Sequence, residues 1–235
     1  MWQRFRLDRP TGWAYLAFGV AACRPVAPRL VPATVASVSA EQVDRWVEAS
    51  APRQRTLHRF KWSYRKQRSG SGGRGSARIA APDSMRFDVA GPLGAGRSSA
   101  VVIGDSARWV DPEKAIKNLV PEYPLLWAMF GVARRPDSGV ALLGIEESGR
   151  TAWEYAGARD TVAYLRTEGK PVRFLTEVRR AGRVIGRVET TLSEEGQPLK
   201  ARLTVPQPAT RLDLTFYSST ATADFPPEIW LPRQP

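Results

Sequence analysis

His58-Arg59-Phe60-Lys61-Trp62-Ser63-Tyr64-Arg65 alternates aromatic and polar side chains with a period of two. In an extended chain that spacing puts Phe60, Trp62 and Tyr64 on one face and Arg59, Lys61, Ser63 and Arg65 on the other. The alternation returns on both sides of this stretch. A Gly/Ser turn over residues 69–76 leads to Ala77 and Ile79 before a break at Pro82. Met85, Phe87 and Val89 then alternate with Arg86 and Asp88, and Ala100 to Ile103 and Arg108 to Val110 flank the turn at Gly104-Asp105. Beyond Pro136 the pattern resumes at residues 140–145, Trp153 and Tyr155, and Val162 and Tyr164. It continues through Val172 to Val178, Val184 to Leu192, Leu199 to Val205 and Leu212 to Phe216. Sheets with one wet face and one apolar face read this way.

Helical signals are few. Ser39, with Gln42 three residues on, caps a helix whose stripe is Val43, Trp46 and Val47 and which Pro52 ends. Asp111-Pro112-Glu113 has the form of a helix start. Pro124 opens a short helix, Leu125-Leu126-Trp127-Ala128-Met129-Phe130, which is apolar all round and so needs cover on every side. Roughly ten or eleven strands cannot be covered flat by so little helix, and a bare apolar face costs about 25 cal/mol per Å². The economical solution is an incompletely closed antiparallel β-barrel, mainly β in class, with short helices capping its mouth. No linker composition interrupts residues 39–235, which read as one domain.

The chain has 235 residues, with 35 Lys and Arg against 23 Asp and Glu, a net charge of +12, one histidine and one cysteine. That inventory excludes an intramolecular disulfide and a cysteine-rich zinc site. The positive charge calls for anionic partners. Residues 1–22 carry Arg4, Arg6 and Arg9, followed by an uncharged run from Thr11 to Ala22. Twelve helical residues reach about 18 Å, short of a bilayer's ~30 Å core, so the run reads as a signal peptide. It ends at Val20-Ala21-Ala22-Cys23, which resembles the bacterial lipobox, with Cys23 as the lipidated residue. Arg24 follows it where an inner-membrane retention signal has aspartate. These features imply an outer-membrane anchor with the body in the periplasm, tethered through residues 23–38 with prolines at 25, 28 and 32. In that compartment anionic lipid or lipopolysaccharide is the expected counterpart, and nucleic acid is not.

Several motifs carry less than they suggest. Gly70 to Gly75 spells G-x-G-x-x-G, but it joins antiparallel strands, whereas a dinucleotide loop needs a parallel strand before it and a helix after it. His58 has no sequence partner for acid–base work and reads as a surface or sheet-edge residue. The acidic pairs Glu146-Glu147 and Glu194-Glu195 sit beside turns, and Arg65-Lys66-Gln67-Arg68 reads as a hairpin tip able to meet anionic head groups. No nucleophile–base pair stands out, so the chain reads as a non-enzyme that requires no cofactor or metal.

Met85 to Gly96, Met-Arg-Phe-Asp-Val-Ala-Gly-Pro-Leu-Gly-Ala-Gly, resembles the strand and loop of the lipoprotein-localisation proteins LolA and LolB, as does the order of signal, capped helix, hairpins and apolar insert. Gly91 stands where the LolB turn has asparagine. The resemblance implies a cavity for acyl chains of lipoproteins or lipids, a periplasmic donor protein, and a loop of Pro92, Leu93 and Gly94 whose leucine touches the membrane. On that reading Trp62, Phe87, Phe174 and Phe216 are candidate cavity residues, and Leu126, Trp127 and Phe130 form a lid. The alternative is an outer-membrane structural or assembly lipoprotein that uses the same barrel as a docking scaffold with a filled interior.

Overall fold

A computed structural model describes residues 30–31, 35–94, 96–111, 120–135 and 140–231. The signal peptide, Cys23 and the first part of the tether lie outside the described residues, as do positions 112–119 of the helix expected after Asp111. The described strands are β1 (Ala36–Ser37), β2 (Thr56–Lys66), β3 (Ser69–Ala80), β4 (Ser84–Ala90), β5 (Arg97–Ile103), β6 (Ser106–Asp111), β7 (Ala141–Glu147), β8 (Arg150–Ala156), β9 (Asp160–Thr167), β10 (Val172–Arg180), β11 (Arg183–Leu192), β12 (Pro198–Val205) and β13 (Thr210–Ala221). Two helices accompany them, α1 (Ala40–Ser50) and α2 (Tyr123–Ala128). All thirteen strands form one sheet in the order β1-β7-β8-β9-β10-β11-β12-β13-β2-β3-β4-β5-β6. Every described pairing is antiparallel, and no described hydrogen bonds join β6 back to β1, so the barrel is incompletely closed.

The alternation that predicts β2 sets its faces. Phe60 is fully buried, as are its inward neighbours Ala77 and Met85, while Arg59, Lys61 and Arg65 are exposed. Across β12 and β13 the same rule buries Ala201, Leu203, Leu212 and Leu214.

Three local expectations change. Residues 69–76 are not a turn: they are the first part of β3, and the reversal is at Gln67, whose φ is 52°. Small residues are needed in that strand because its neighbours approach closely. A Cβ on Gly75 would lie 2.4 Å from the Phe60 ring, and one on Gly73 would lie 1.9 Å from the Ala90 carbonyl oxygen. The end of the tether is not free either. Val31 is buried beside Ala152, Ala163 and Leu165, and β1 adds a strand to the edge at β7. Finally, the second short helix begins at Tyr123, one residue before Pro124, and stops at Ala128, with Met129 and Phe130 completing the turn.

α1 follows its signals. The Ser39 hydroxyl accepts from the Gln42 amide at 3.1 Å, and Val43 and Trp46 face the sheet. Trp46 packs on Trp153 with ring centres 5.9 Å apart and occupies the space over Gly144. α2 lies across the concave side, with Leu125 over Gly186 and Leu203 and with its main contacts to β10 and β11.

Candidate functional site

The concave side holds two aromatic groups. Trp153, Tyr164 and Phe174 stack in sequence with ring centres 5.1 and 5.8 Å apart, under α1. Phe60, Phe87, Phe130, Phe216 and His58 form the second group at separations of 5.5–6.3 Å, with Phe130 inserted from the segment after α2. Leu125, Leu126, Trp127, Ala128, Met129 and Phe130 are all buried.

Hydrogen bonds tie this plug down at each step. The Trp127 indole donates to the Gly104 carbonyl at 2.9 Å, and the Thr190 hydroxyl donates to the Ala128 carbonyl at 2.7 Å. The Ala133 amide donates to Ser50 Oγ at 2.9 Å and the Arg134 amide to the Tyr164 hydroxyl at 3.1 Å. Burial pushes the Tyr164 phenol well above its ordinary range, so it stays protonated.

The sequence-predicted lining residues therefore meet one another instead of surrounding a wide hollow. Phe87, Phe174, Leu126, Trp127 and Phe130 are packed in the core, while Trp62 and Phe216 are half-buried against it. Trp62 also donates from its indole to the Ala90 carbonyl at 3.1 Å, which ties β2 to the base of the 91–96 loop.

An opening does exist. A cavity of about 260 Å³ lies between residues 49–54, Ile79, Phe130 to Val132 and the β11–β12 turn. Of the seven cavity and lid candidates only Phe130 borders it. His58 borders it as well.

His58 is the residue that sequence reasoning misplaced. It is buried on the concave side and is not at a sheet edge, because β2 has β13 and β3 as neighbours. Its Nδ1 lies 2.8 Å from Ser219 Oγ, and its ring contacts Phe130 and Phe216. Desolvation lowers its pKa to about 4, so the ring is neutral at ordinary pH. The signal was present in the sequence: His58 has the same parity as Phe60. Among the described residues, no three His, Cys, Asp or Glu side chains cluster as metal ligands.

The 91–96 loop is the opposite case. Leu93 is completely exposed, at 108% of its reference area, and sits in the left-handed region at φ 54°. Gly94 and Gly96 follow with φ of 81° and 62°. The loop is held shut by Gly91 N–H to Gly96 O and Gly94 N–H to Gly91 O, both 3.1 Å. A left-handed leucine costs about 1–2 kcal/mol, and its exposed side chain gains nothing in return from burial.

Solved structures share the fold. A LolA superfamily protein from Nitrosomonas europaea matches with a TM-score of 0.52 at 11% identity, covering 83% of this chain and 99% of that one. A DUF1329 family protein from Desulfovibrio piger matches with a TM-score of 0.51 at 9% identity, covering 81% and 95%. The fold is LolA/LolB-like. No protein-family model and no curated protein sequence matches the chain. Within the LolA/LolB-like fold, the exposed loop closes the β4–β5 hairpin, and the plug crosses the concave face of β10 and β11.

Among the described residues no helix is long and apolar enough to cross a membrane. One member of each acidic pair is engaged by a neighbour. Glu146 accepts from the Trp46 indole at 3.2 Å, and Glu194 pairs with Lys170 on exposed turns.

Proposed function

We propose that this chain is a non-enzymatic, lipid-anchored protein of the outer membrane, facing the periplasm, which accepts acyl chains of lipoproteins or lipids and passes them to the bilayer. The observation that carries the reading is Leu93: an apolar side chain held outward, in a strained conformation, at the tip of a hairpin in a LolA/LolB-like fold. A structure keeps such a residue only when the surrounding chain over-determines it, and a lipid surface is the environment that repays the exposure. The concave face supplies the acyl site. Phe130, at the border of the 260 Å³ opening, and the segment from Leu125 onward present hydrocarbon that a fatty chain replaces contact for contact when the plug yields. Each step moves hydrocarbon between apolar surroundings, so no nucleotide or metal is needed to drive it. Cys23 provides the anchor, and a periplasmic donor protein the cargo.

The test is delivery of a fluorescent acylated peptide from the purified chain into vesicles. Leu93→Glu is expected to lower the delivery rate about tenfold while the melting temperature stays unchanged, and equal delivery would remove the membrane role of this loop. One observation favours a second reading, that of a docking scaffold: the candidate lining residues are packed in the core or against it. Native mass spectrometry separates the two. Co-purified or titrated lipid supports the carrier, and a chain that never takes up lipid supports the scaffold.

A further inference from the structure

Strand register gathers cations into a line that the linear sequence disperses. Lys200 of β12 lies opposite Thr215 of β13, and Thr215 lies opposite Lys61 of β2. Lys61 faces Arg74 of β3, Arg74 faces Ala90 of β4, and Ala90 faces Arg97 of β5. These six positions alternate with the buried residues of their strands, so they project from the convex side, and Lys200, Lys61, Arg74 and Arg97 are exposed. The line crosses six strands, about 24 Å. It contains no acid.

Lys61 and Arg74 stand directly opposite each other, a like-charge placement that weakens a sheet. Among the described residues none of the four cations forms an ion pair. The next line, on β11, β12 and β13, shows that the fold can do otherwise. There Glu189, Arg202 and Asp213 are neighbours, Arg202 reaches Asp213 at 2.7 Å, and Glu189 pairs with Arg173. These acids are matched by arginines, whereas the four cations of the first line have no acidic partner among the described residues.

The charged line runs into the hairpin that carries Leu93, since Ala90 and Arg97 are the last and first residues of the strands flanking its loop. The exposed hairpin residues Arg65, Lys66 and Arg68 add charge near by. We infer that Lys200, Lys61, Arg74 and Arg97 form a docking surface for an anionic phospholipid bilayer, which orients the Leu93 loop toward the membrane. This rests on the membrane role of Leu93 given above. An acidic protein would satisfy the cations but offers no apolar layer for the leucine beside them. A bilayer offers both, anionic head groups over hydrocarbon.

The test is co-sedimentation of the full chain, carrying Cys23→Ser so that no acyl anchor contributes, with vesicles of phosphatidylcholine alone or mixed with phosphatidylglycerol. The readout is the gain in binding on adding phosphatidylglycerol. For the parent chain this gain is expected to shrink steeply with salt. The variant Lys61→Gln/Arg74→Gln/Arg97→Gln/Lys200→Gln should lose the gain by about tenfold or more. The control Arg173→Gln/Arg202→Gln, on the same face but ion-paired, should keep most of it. An undiminished gain in the fourfold variant, or equal loss in the control, would overturn the proposal. So would a gain that survives in the fourfold variant while its binding to polyglutamate is lost, because the occupant would then be an acidic protein. Leu93→Glu is expected to lower acyl delivery about tenfold yet leave the phosphatidylglycerol gain in place, so the loop and the cationic line fail independently. Unchanged melting of the fourfold variant confirms that binding, not folding, has been altered.

Discussion

Two short apolar segments of this protein begin alike, with a proline followed by leucine, and end in opposite environments. Pro92-Leu93 projects Leu93 fully into solvent, whereas Pro124-Leu125 opens a run whose side chains are buried through Phe130. The difference is one of supply. Gly91, Gly94 and Gly96 bring no side chain to cover it, and the positive φ angles of Leu93, Gly94 and Gly96 turn the loop back on itself before it can reach the core. The second run carries cover of its own, and it meets small residues, Gly186 under Leu125 and Gly104 beside Trp127, that let it settle on the sheet. Hydrophobicity decides that both segments want cover. Neighbours decide which one obtains it.

The contrast breaks most readily at the buried end. Trp127→Ala removes a fully buried indole and its bond to the Gly104 carbonyl, and is expected to cost about 3–5 kcal/mol in urea unfolding. Acid tests the same core through His58. The folded protein keeps this ring neutral down to about pH 4, while an unfolded histidine takes up its proton near 6.5. Between those values the unfolded state binds more protons, so stability falls as pH falls through the window, by about 3 kcal/mol at its lower end. His58→Phe should show a shallower decline over that range by a similar amount, and identical slopes would place the pH dependence elsewhere. Gly75→Ala drives a methyl into the Phe60 ring and is expected to cost about 1–3 kcal/mol by thermal melting.

The exposed end should respond least in stability. Leu93→Gly relieves the left-handed backbone and should leave unfolding unchanged or raise stability by up to about 1 kcal/mol, while lowering acyl delivery. A clear loss of stability in that variant would mean that the leucine has hidden contacts, and the contrast between the two segments would dissolve.

Much of this was legible beforehand, for reasons particular to each element. The period-two pattern of residues 58–65 set the faces of β2 because a strand has only two sides, and α1 was marked by the Ser39 cap and the Trp46 stripe. The glycine-rich run at 69–76 misled because glycine favours turns locally. Here it is a strand residue chosen for close approach, and nothing nearby in sequence announces the Phe60 ring or the Ala90 carbonyl. Inward orientation of the lining candidates does not reveal whether the space opposite is empty, and Phe130 fills part of it from seventy residues along the chain.

By itself, then, the sequence determined most of the secondary structure, the inward and outward faces of the long strands, and the excess of positive charge, since all three follow from residue type at short spacing. Tertiary structure alone decided that Leu93 stays exposed, that His58 lies buried and neutral against Phe130 and Phe216, and that four distant cations stand in one line. Those outcomes depend on which strands become neighbours and in what register. Register is settled by the packing of the whole sheet, not by any stretch of it.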